Sequence, residues 1–285
     1  KPTDKLIFNN TSPASSVLTN IPTQTIAQLT VTNNRTVNLR DVVADGAASV
    51  ITIAGATGTD LQVDAGSSLI LDGTVASATD AVQLNLGAGA TASVSGTISF
   101  NSQTSDDRPH RLLASDAMAV TVNNGGVIKA ANLLGNPFGT TLPANTVVFN
   151  SGAAYECYSG ANPFGLAQPA SKVVFNSGSV YRHINSNQPS ILGRVYANVE
   201  FKASTNISTG GPEVFTVNNL SVLNGTVQVT GIANSEPINT AIKGDLVVSP
   251  GASFSYDPVA ASVITFNSSA VAQKINSTGV LTLGK

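Results

Sequence analysis

The chain has no Trp, one Met, one Cys and only four Glu, and charged residues make up 11% of its 285 positions. A long-helix or coiled-coil protein would be rich in Glu, Lys and Leu, so that class is excluded. With net charge −2 and no basic block, the chain lacks the clustered Lys and Arg that nucleic-acid phosphates need. No apolar run approaches the ~20 residues of a membrane-spanning helix, so membrane insertion is not expected. Cys157 alone makes no internal disulfide and is expected as a buried, inert thiol. Stability must come from packing and hydrogen bonding.

In place of charge the chain carries 29 Thr, 31 Ser and 27 Asn, about 31% of all residues. The apolar fraction is 42%, too high for a disordered chain. The start, Lys1-Pro2-Thr3-Asp4, has no apolar signal core. The Ser/Thr/Asn-rich, Lys- and Glu-poor composition predicts a secreted or cell-surface bacterial protein whose leader has been removed.

Short alternating runs fill the chain, among them Leu29-Thr30-Val31-Thr32, Val82-Gln83-Leu84-Asn85-Leu86 and Leu246-Val247-Val248. Gly, Asn, Asp or Pro separates them every few residues, which is strand and turn chemistry. No Pro-rich or Gly/Ser linker interrupts the pattern, so 1–285 reads as a single elongated domain. Residues 136–155, NPFGTTLPANTVVFNSGAAY, align without a gap on 162–181, NPFGLAQPASKVVFNSGSVY, 26 residues on. Val199-Glu200-Phe201-Lys202 falls another 26 residues beyond Val173-Val174-Phe175-Asn176. A period in the twenties made only of strands and turns predicts an all-β, right-handed parallel β-helix of about ten rungs. Each rung would stack ~4.8 Å from the next. Phe149, Phe175 and Phe201 would then form an interior ladder, Tyr155 would lie over Tyr181, and Asn123, Asn150 and Asn176 would form an amide ladder at a turn. A β-sandwich is the rival fold.

The C-terminal segments Val263-Ile264-Thr265-Phe266-Asn267-Ser268-Ser269-Ala270 and Gln273-Lys274-Ile275-Asn276-Ser277-Thr278-Gly279-Val280-Leu281-Thr282-Leu283 resemble the "TFNGS-A-Q-I-GTG-LTL" phrase of repeat-rich surface β-helix proteins exported by the bacterial type IX pathway. Leu29-Thr30-Val31-Thr32-Asn33-Asn34 is similar to their "LTINN" phrase. The resemblance implies a β-helix, export, and a role as adhesin, fibre protein or glycan-active enzyme. It also implies a C-terminal sorting domain after such repeats.

Two polar groups are candidate sites. Asp106-Asp107-Arg108-Pro109-His110-Arg111 interrupts the pattern. Two adjacent Asp supply too few oxygens for Ca²⁺, and neighbours on a strand point to opposite faces. The bland reading is an exposed, self-compensating loop; the sharper one is a polysaccharide lyase or hydrolase site. The second group is Tyr155-Glu156-Cys157-Tyr158 with its repeat mate Tyr181-Arg182-His183. Here Tyr155 and Tyr181 would stack on a surface glycan while Glu156 and Arg182 orient its hydroxyls. A cross-rung ion pair and a packed thiol are the simpler account, and a Cys157/His183 nucleophile pair lacks a third orienting group. Two His and one Cys are too few for a closed zinc site, and no phosphate-binding Gly motif precedes a helix, so neither metal nor cofactor is expected.

The chain ends carry the assembly expectation. Leu6-Ile7-Phe8 within a pairing strand over 1–12, and Leu281 and Leu283, read as strand without a cap. Either further repeats of a longer protein adjoin them, or they pair between subunits and build a fibre. The reading favoured is a non-enzymatic structural protein, a self-assembling fibre subunit or adhesin stalk. The alternative is a carbohydrate-binding or carbohydrate-cleaving β-helix.

Overall fold

A computed structural model describes residues 3–42, 47–55, 58–73, 81–101, 110–132, 135–159, 162–230, 237–256, 262–268 and 272–284. Among them are 28 strands and no helix. The chain divides into two compact units, Lys1–Val174 and Phe175–Lys285.

In the first unit three parallel sheets take strands in rotation as far as Arg111–Ala114, after which the strands alternate between the first two sheets. The first sheet holds Lys5–Phe8, Gln28–Val31, Leu61–Val63, Ala92–Val94, Val120–Val122 and Val147–Phe149. The second holds Ser15–Thr19, Thr36–Arg40, Ser68–Asp72, Thr97–Asn101, Val127–Asn132 and Ala154–Cys157. Gln24–Ile26, Ser49–Ile53, Val82–Leu86 and Arg111–Ala114 make the third. Each strand thus pairs with its equivalent one repeat on, an arrangement consistent with a β-solenoid. Parallel pairing rules out the sandwich, whose sheets are antiparallel.

Alternation sends every second side chain inward, and the register aligns those side chains in columns. One column runs Val31, Val63, Val94, Val122, Phe149. A second runs Val37, Leu69, Ile98, Ile128, Tyr155, and a third Leu39, Leu71, Phe100, Ala130, Cys157. All fifteen side chains are buried. Each large one contributes about 1.5–3 kcal/mol through burial. Where Ala130 leaves room beside Phe100, Phe138 packs edge-on against that ring at 6.3 Å.

The corners are tight turns. In Asn123-Asn124-Gly125-Gly126 the Gly126 N–H donates to the Asn123 carbonyl at 2.8 Å, and Gly125 has φ +80°. Positive φ at the third residue is the type II geometry, which selects Gly. Ser249-Pro250-Gly251-Ala252 repeats it in the second unit, with Gly251 at φ +77°. The expected amide ladder takes another form at Asn123, whose Nδ2 donates to the hydroxyls of Ser93 at 2.9 Å and Ser95 at 3.2 Å.

The 26-residue step holds where the sequence repeats most closely. The Asn145 N–H donates to the Ser171 carbonyl, and the Val147 N–H to that of Lys172. Elsewhere the step varies from rung to rung. It is longer between Leu29 and its partner Leu61, and shorter between Leu6 and its partner Leu29.

In the second unit one parallel sheet runs Val180–His183, Val195–Phe201, Gly211–Val222. The two halves of that twelve-residue strand then receive separate partners, Ile238–Ile242 and Leu246–Val248. Ile264–Phe266 and Ile275–Ser277 follow on those two. Between the separate partners the chain bends at Gly244, where an added Cβ would sit 2.2 Å from the Asn219 side-chain oxygen. The same oxygen accepts the Asp245 N–H at 2.8 Å, so only glycine fits this corner. The other sheet is Thr205–Ile207, Thr226–Val229, Ser253–Tyr256, Val280–Leu283.

The 26-residue step expected from Phe175 to Phe201 does not hold. Phe201 pairs in register with His183, and Val199 with Tyr181, a shorter step than the sequence repeat. Phe175 stacks instead on Tyr196, with ring centroids 5.6 Å apart. Both rings are interior, but they belong to different columns.

Candidate functional site

The strand Ala154–Cys157 alternates, so Tyr155 and Cys157 share one face and Glu156 takes the other. That face is the interior. Tyr155 is 0% exposed and packs edge-on against Phe149 at 6.2 Å. Val180–His183 does the same: Tyr181 is 1% exposed and His183 is buried beside it. Neither tyrosine ring offers a face to a sugar, and the glycan platform expected at these two positions does not exist.

Glu156 and Arg182 do face outward, each with a local partner. Glu156 lies in register beside Lys129 of the neighbouring strand. It accepts the Tyr158 hydroxyl at 3.4 Å, and the Lys129 ammonium sits 4.5 Å from the Tyr158 ring centroid. Tyr158 is the exposed aromatic of this stretch, with a cation over its ring. Arg182 is paired in register with Glu200, Nε to Oε2 at 2.8 Å. Both partners are about a quarter exposed, so the pair adds under about 1 kcal/mol.

The nucleophile reading fails on chemistry. Cys157 is buried, with its Sγ 3.8 Å from the Ser159 carbonyl. His183 Nε2 lies 2.5 Å from the Asn187 carbonyl and so carries the proton, which makes Nδ1 the acceptor for the Tyr181 hydroxyl at 3.2 Å. Both ring nitrogens are thereby engaged. Burial, opposed by the Asn187 bond, lowers the His183 pKa to about 4. The ring is neutral at pH 7 and serves as packing.

Of the Asp106–Arg111 cluster, residues 102–109 lie outside the described residues. His110 is buried and its Nδ1 accepts the Val82 N–H at 2.8 Å. Arg111 begins a strand of the third sheet, and partial burial lowers its pKa. Among the described residues no group of three or more His, Cys, Asp or Glu is placed to hold a metal ion.

The residues expected at the ends occupy strands already paired on one side. Lys5–Phe8 pairs with Gln28–Val31, so it belongs to its own chain's first sheet. Leu6 and Phe8 stand in register with the buried Leu29 and Val31, while Ile7 points outward and is 48% exposed. Leu281 and Leu283 stand in register with the buried Phe254 and Tyr256, and Leu283 is exposed. They prolong an interior column whose far side is open among the described residues.

Sequence reasoning missed the polar corners of the first unit. Asp72 is 2% exposed, and its Oδ2 accepts Arg40 Nε at 3.0 Å, Arg40 Nη2 at 2.6 Å and Asn38 Nδ2 at 3.0 Å. Its Oδ1 accepts Asn101 Nδ2 at 3.0 Å. Asp41 accepts the Ser49 and Ala81 N–H groups, and Asp60 that of Thr91 at 2.9 Å. These buried carboxylates accept backbone, amide and guanidinium donors at the sheet corners. Lys172 is the cationic counterpart: burial lowers its pKa while Nζ donates to the Thr141 and Pro143 carbonyls at 3.0 and 2.9 Å.

Comparison of the chain with known protein families, curated proteins and solved structures finds no match.

Proposed function

We propose that this chain is a right-handed parallel β-helix that works outside a bacterial cell as a structural protein, exported by the type IX pathway. Its role is that of a self-assembling fibre subunit or adhesin stalk. The observation that carries the reading is the register itself. Strand after strand repeats its position in parallel, with apolar columns inside and mostly uncharged hydroxyl and amide side chains outside. Such a ladder transmits load through main-chain hydrogen bonds and needs no reactive group.

The edges of Lys5–Phe8 and Val280–Leu283 support extension by strand pairing. Among the described residues each pairs on one side only, and Leu6, Leu281 and Leu283 continue interior columns that further strands would cover. Parallel addition of a strand from a second copy satisfies both the backbone and the column. The carbohydrate alternative loses the two rings expected to stack on a sugar, because Tyr155 and Tyr181 are buried, and its Cys157/His183 pair, because His183 is engaged at both nitrogens.

Sedimentation velocity over a concentration series tests the pairing. The chain is expected to form larger species as concentration rises, and Leu281→Lys with Leu283→Lys to keep it monomeric, since a charge on an edge strand blocks addition. A chain that stays monomeric throughout, or a variant that assembles equally well, contradicts the proposal.

A further inference from the structure

The second unit carries a shallow open groove of about 260 Å³ on the outer side of the sheet containing Thr205–Ile207 and Thr226–Val229. Its lining is Ser186, Ser204, Thr205, Asn206, Thr226 and Gln228. None of the six carries a charge, and none is aromatic or aliphatic. Thr205 is spent on the fold, its hydroxyl donating to the Asn187 carbonyl at 3.0 Å. Ser204 uses one lone pair of its hydroxyl to accept the Thr226 N–H, which leaves its proton to give. Asn206 accepts the Thr230 hydroxyl through Oδ1, which leaves its two N–H donors facing solvent. Gln228 is exposed and presents an amide with both donor and acceptor.

We infer that this groove is a binding site for a segment of a neutral, polyhydroxylated chain, that is, an uncharged polysaccharide. The absence of charge in the lining disfavours phosphate, uronate and cationic ligands, which need a counter-charge. The absence of apolar side chains disfavours lipids and flat aromatic molecules. A neutral sugar offers hydroxyls that both donate and accept, which is what Ser204, Asn206, Thr226 and Gln228 offer in return.

The groove is smaller and more open than the ~300–1,000 Å³ clefts that enclose whole small molecules. It suits part of a longer chain lying across the sheet. The register provides the continuation: Asn206 pairs with Gln228, Gln228 with Ser255 and Ser255 with Thr282. These outward side chains form a polar row with ~4.8 Å between strands. Without a stacking ring, affinity per site is low, with Kd of about 1 mM, and binding gains strength where many copies are presented together. The inference is independent of fibre assembly, since all six residues lie within one unit.

Titration of the whole chain with cellohexaose, laminarihexaose and mannohexaose, followed by ¹H–¹⁵N NMR, tests it, with a galacturonate hexamer as the charged control. At least one neutral hexasaccharide is expected to shift the amide signals of residues 186, 204–206 and 226–228. Asn206→Ala with Gln228→Ala is expected to weaken that binding at least tenfold. Both side chains are exposed, so the thermal unfolding midpoint of this variant should stay at the wild-type value. Three results overturn the inference: no shift with any neutral hexasaccharide at about ten times the expected Kd, shifts that leave these residues untouched, or equal binding of the galacturonate hexamer. A double variant that binds as the wild type does also overturns it.

Discussion

The two units seal the same kind of strand ladder with different chemistry. In Lys1–Val174 the corner donors meet buried carboxylates, those of Asp41, Asp60 and Asp72. In Phe175–Lys285 the equivalent work falls mainly to neutral groups. Gln188 Oε1 accepts the Ser208 and Thr209 N–H groups, and Asn219 Oδ1 that of Asp245. Gln273 donates to the Ile242 and Gly244 carbonyls and accepts the Ser268 N–H. The Tyr256 hydroxyl donates to the Ile238 carbonyl, and burial raises its pKa to about 12, so it stays a donor. A corner needs acceptors and donors in the right places, and charge is only one way to supply them. The difference should appear in how each unit responds to mutation and to acid.

The largest expected effect is in the first unit. Asp72→Ala leaves the Arg40 guanidinium and the Asn38 and Asn101 amides without their acceptor, and should cost about 2–3 kcal/mol of stability, since four hydrogen bonds converge on a buried carboxylate while Arg40, about a third exposed, keeps access to water. Urea denaturation measures it, and a loss below about 1 kcal/mol would break the contrast between charged and neutral corners.

Acid should weaken the second unit through His183. His183 has a folded pKa of about 4 against 6.5 unfolded. Between those values the unfolded chain binds the proton and the folded one does not, so stability falls as pH falls. The contribution of the neutral ring is whole above pH 6.5 and is lost as pH falls to about 4, at most about 3 kcal/mol for a shift of this size. Thermal melts from pH 7 to 4 should show this slope, and His183→Gln should flatten it. A slope that persists in the variant assigns acid sensitivity to another group.

The neutral corner should be milder. Gln273→Ala leaves two carbonyls and one N–H to partial solvent and should cost about 1–2 kcal/mol. A cost matching that of Asp72→Ala would remove the distinction. Smallest of all is Arg182→Ala, which breaks the partly exposed pair with Glu200 and should change stability by less than about 1 kcal/mol. The same urea titrations measure both.

Much of the strand architecture was legible in the sequence. Alternating runs such as Val82–Leu86 became strands with the expected inward side chains, and the ungapped repeat marked a 26-residue step that Asn145 and Ser171 keep. The step did not extend to Phe201, because the stretch between Tyr181 and Val199 is shorter than one repeat and the chain re-enters the sheet sooner. Letter similarity over four residues cannot report a change of loop length. Burial of the tyrosines could have been read from alternation alone. Tyr155 lies two residues from Cys157, and Tyr181 two from His183, so each ring shares a face with a residue that belongs inside. Strand composition around Glu156 and Arg182 does place those two outward, but their partners Lys129 and Glu200 are set by register, which no single strand reveals. The Asp72 corner was hidden for the same reason: Asn38, Arg40 and Asn101 reach it from the neighbouring strands on either side, each a full turn of chain away.

Electron microscopy of the purified chain at neutral pH tests the central claim most directly. Filaments whose Fourier transform carries a strong axial layer line near ~4.8 Å, the spacing of strands stacked across the filament axis, are the result the account predicts. Dispersed particles at every concentration, or filaments without that spacing, would contradict end-to-end strand pairing.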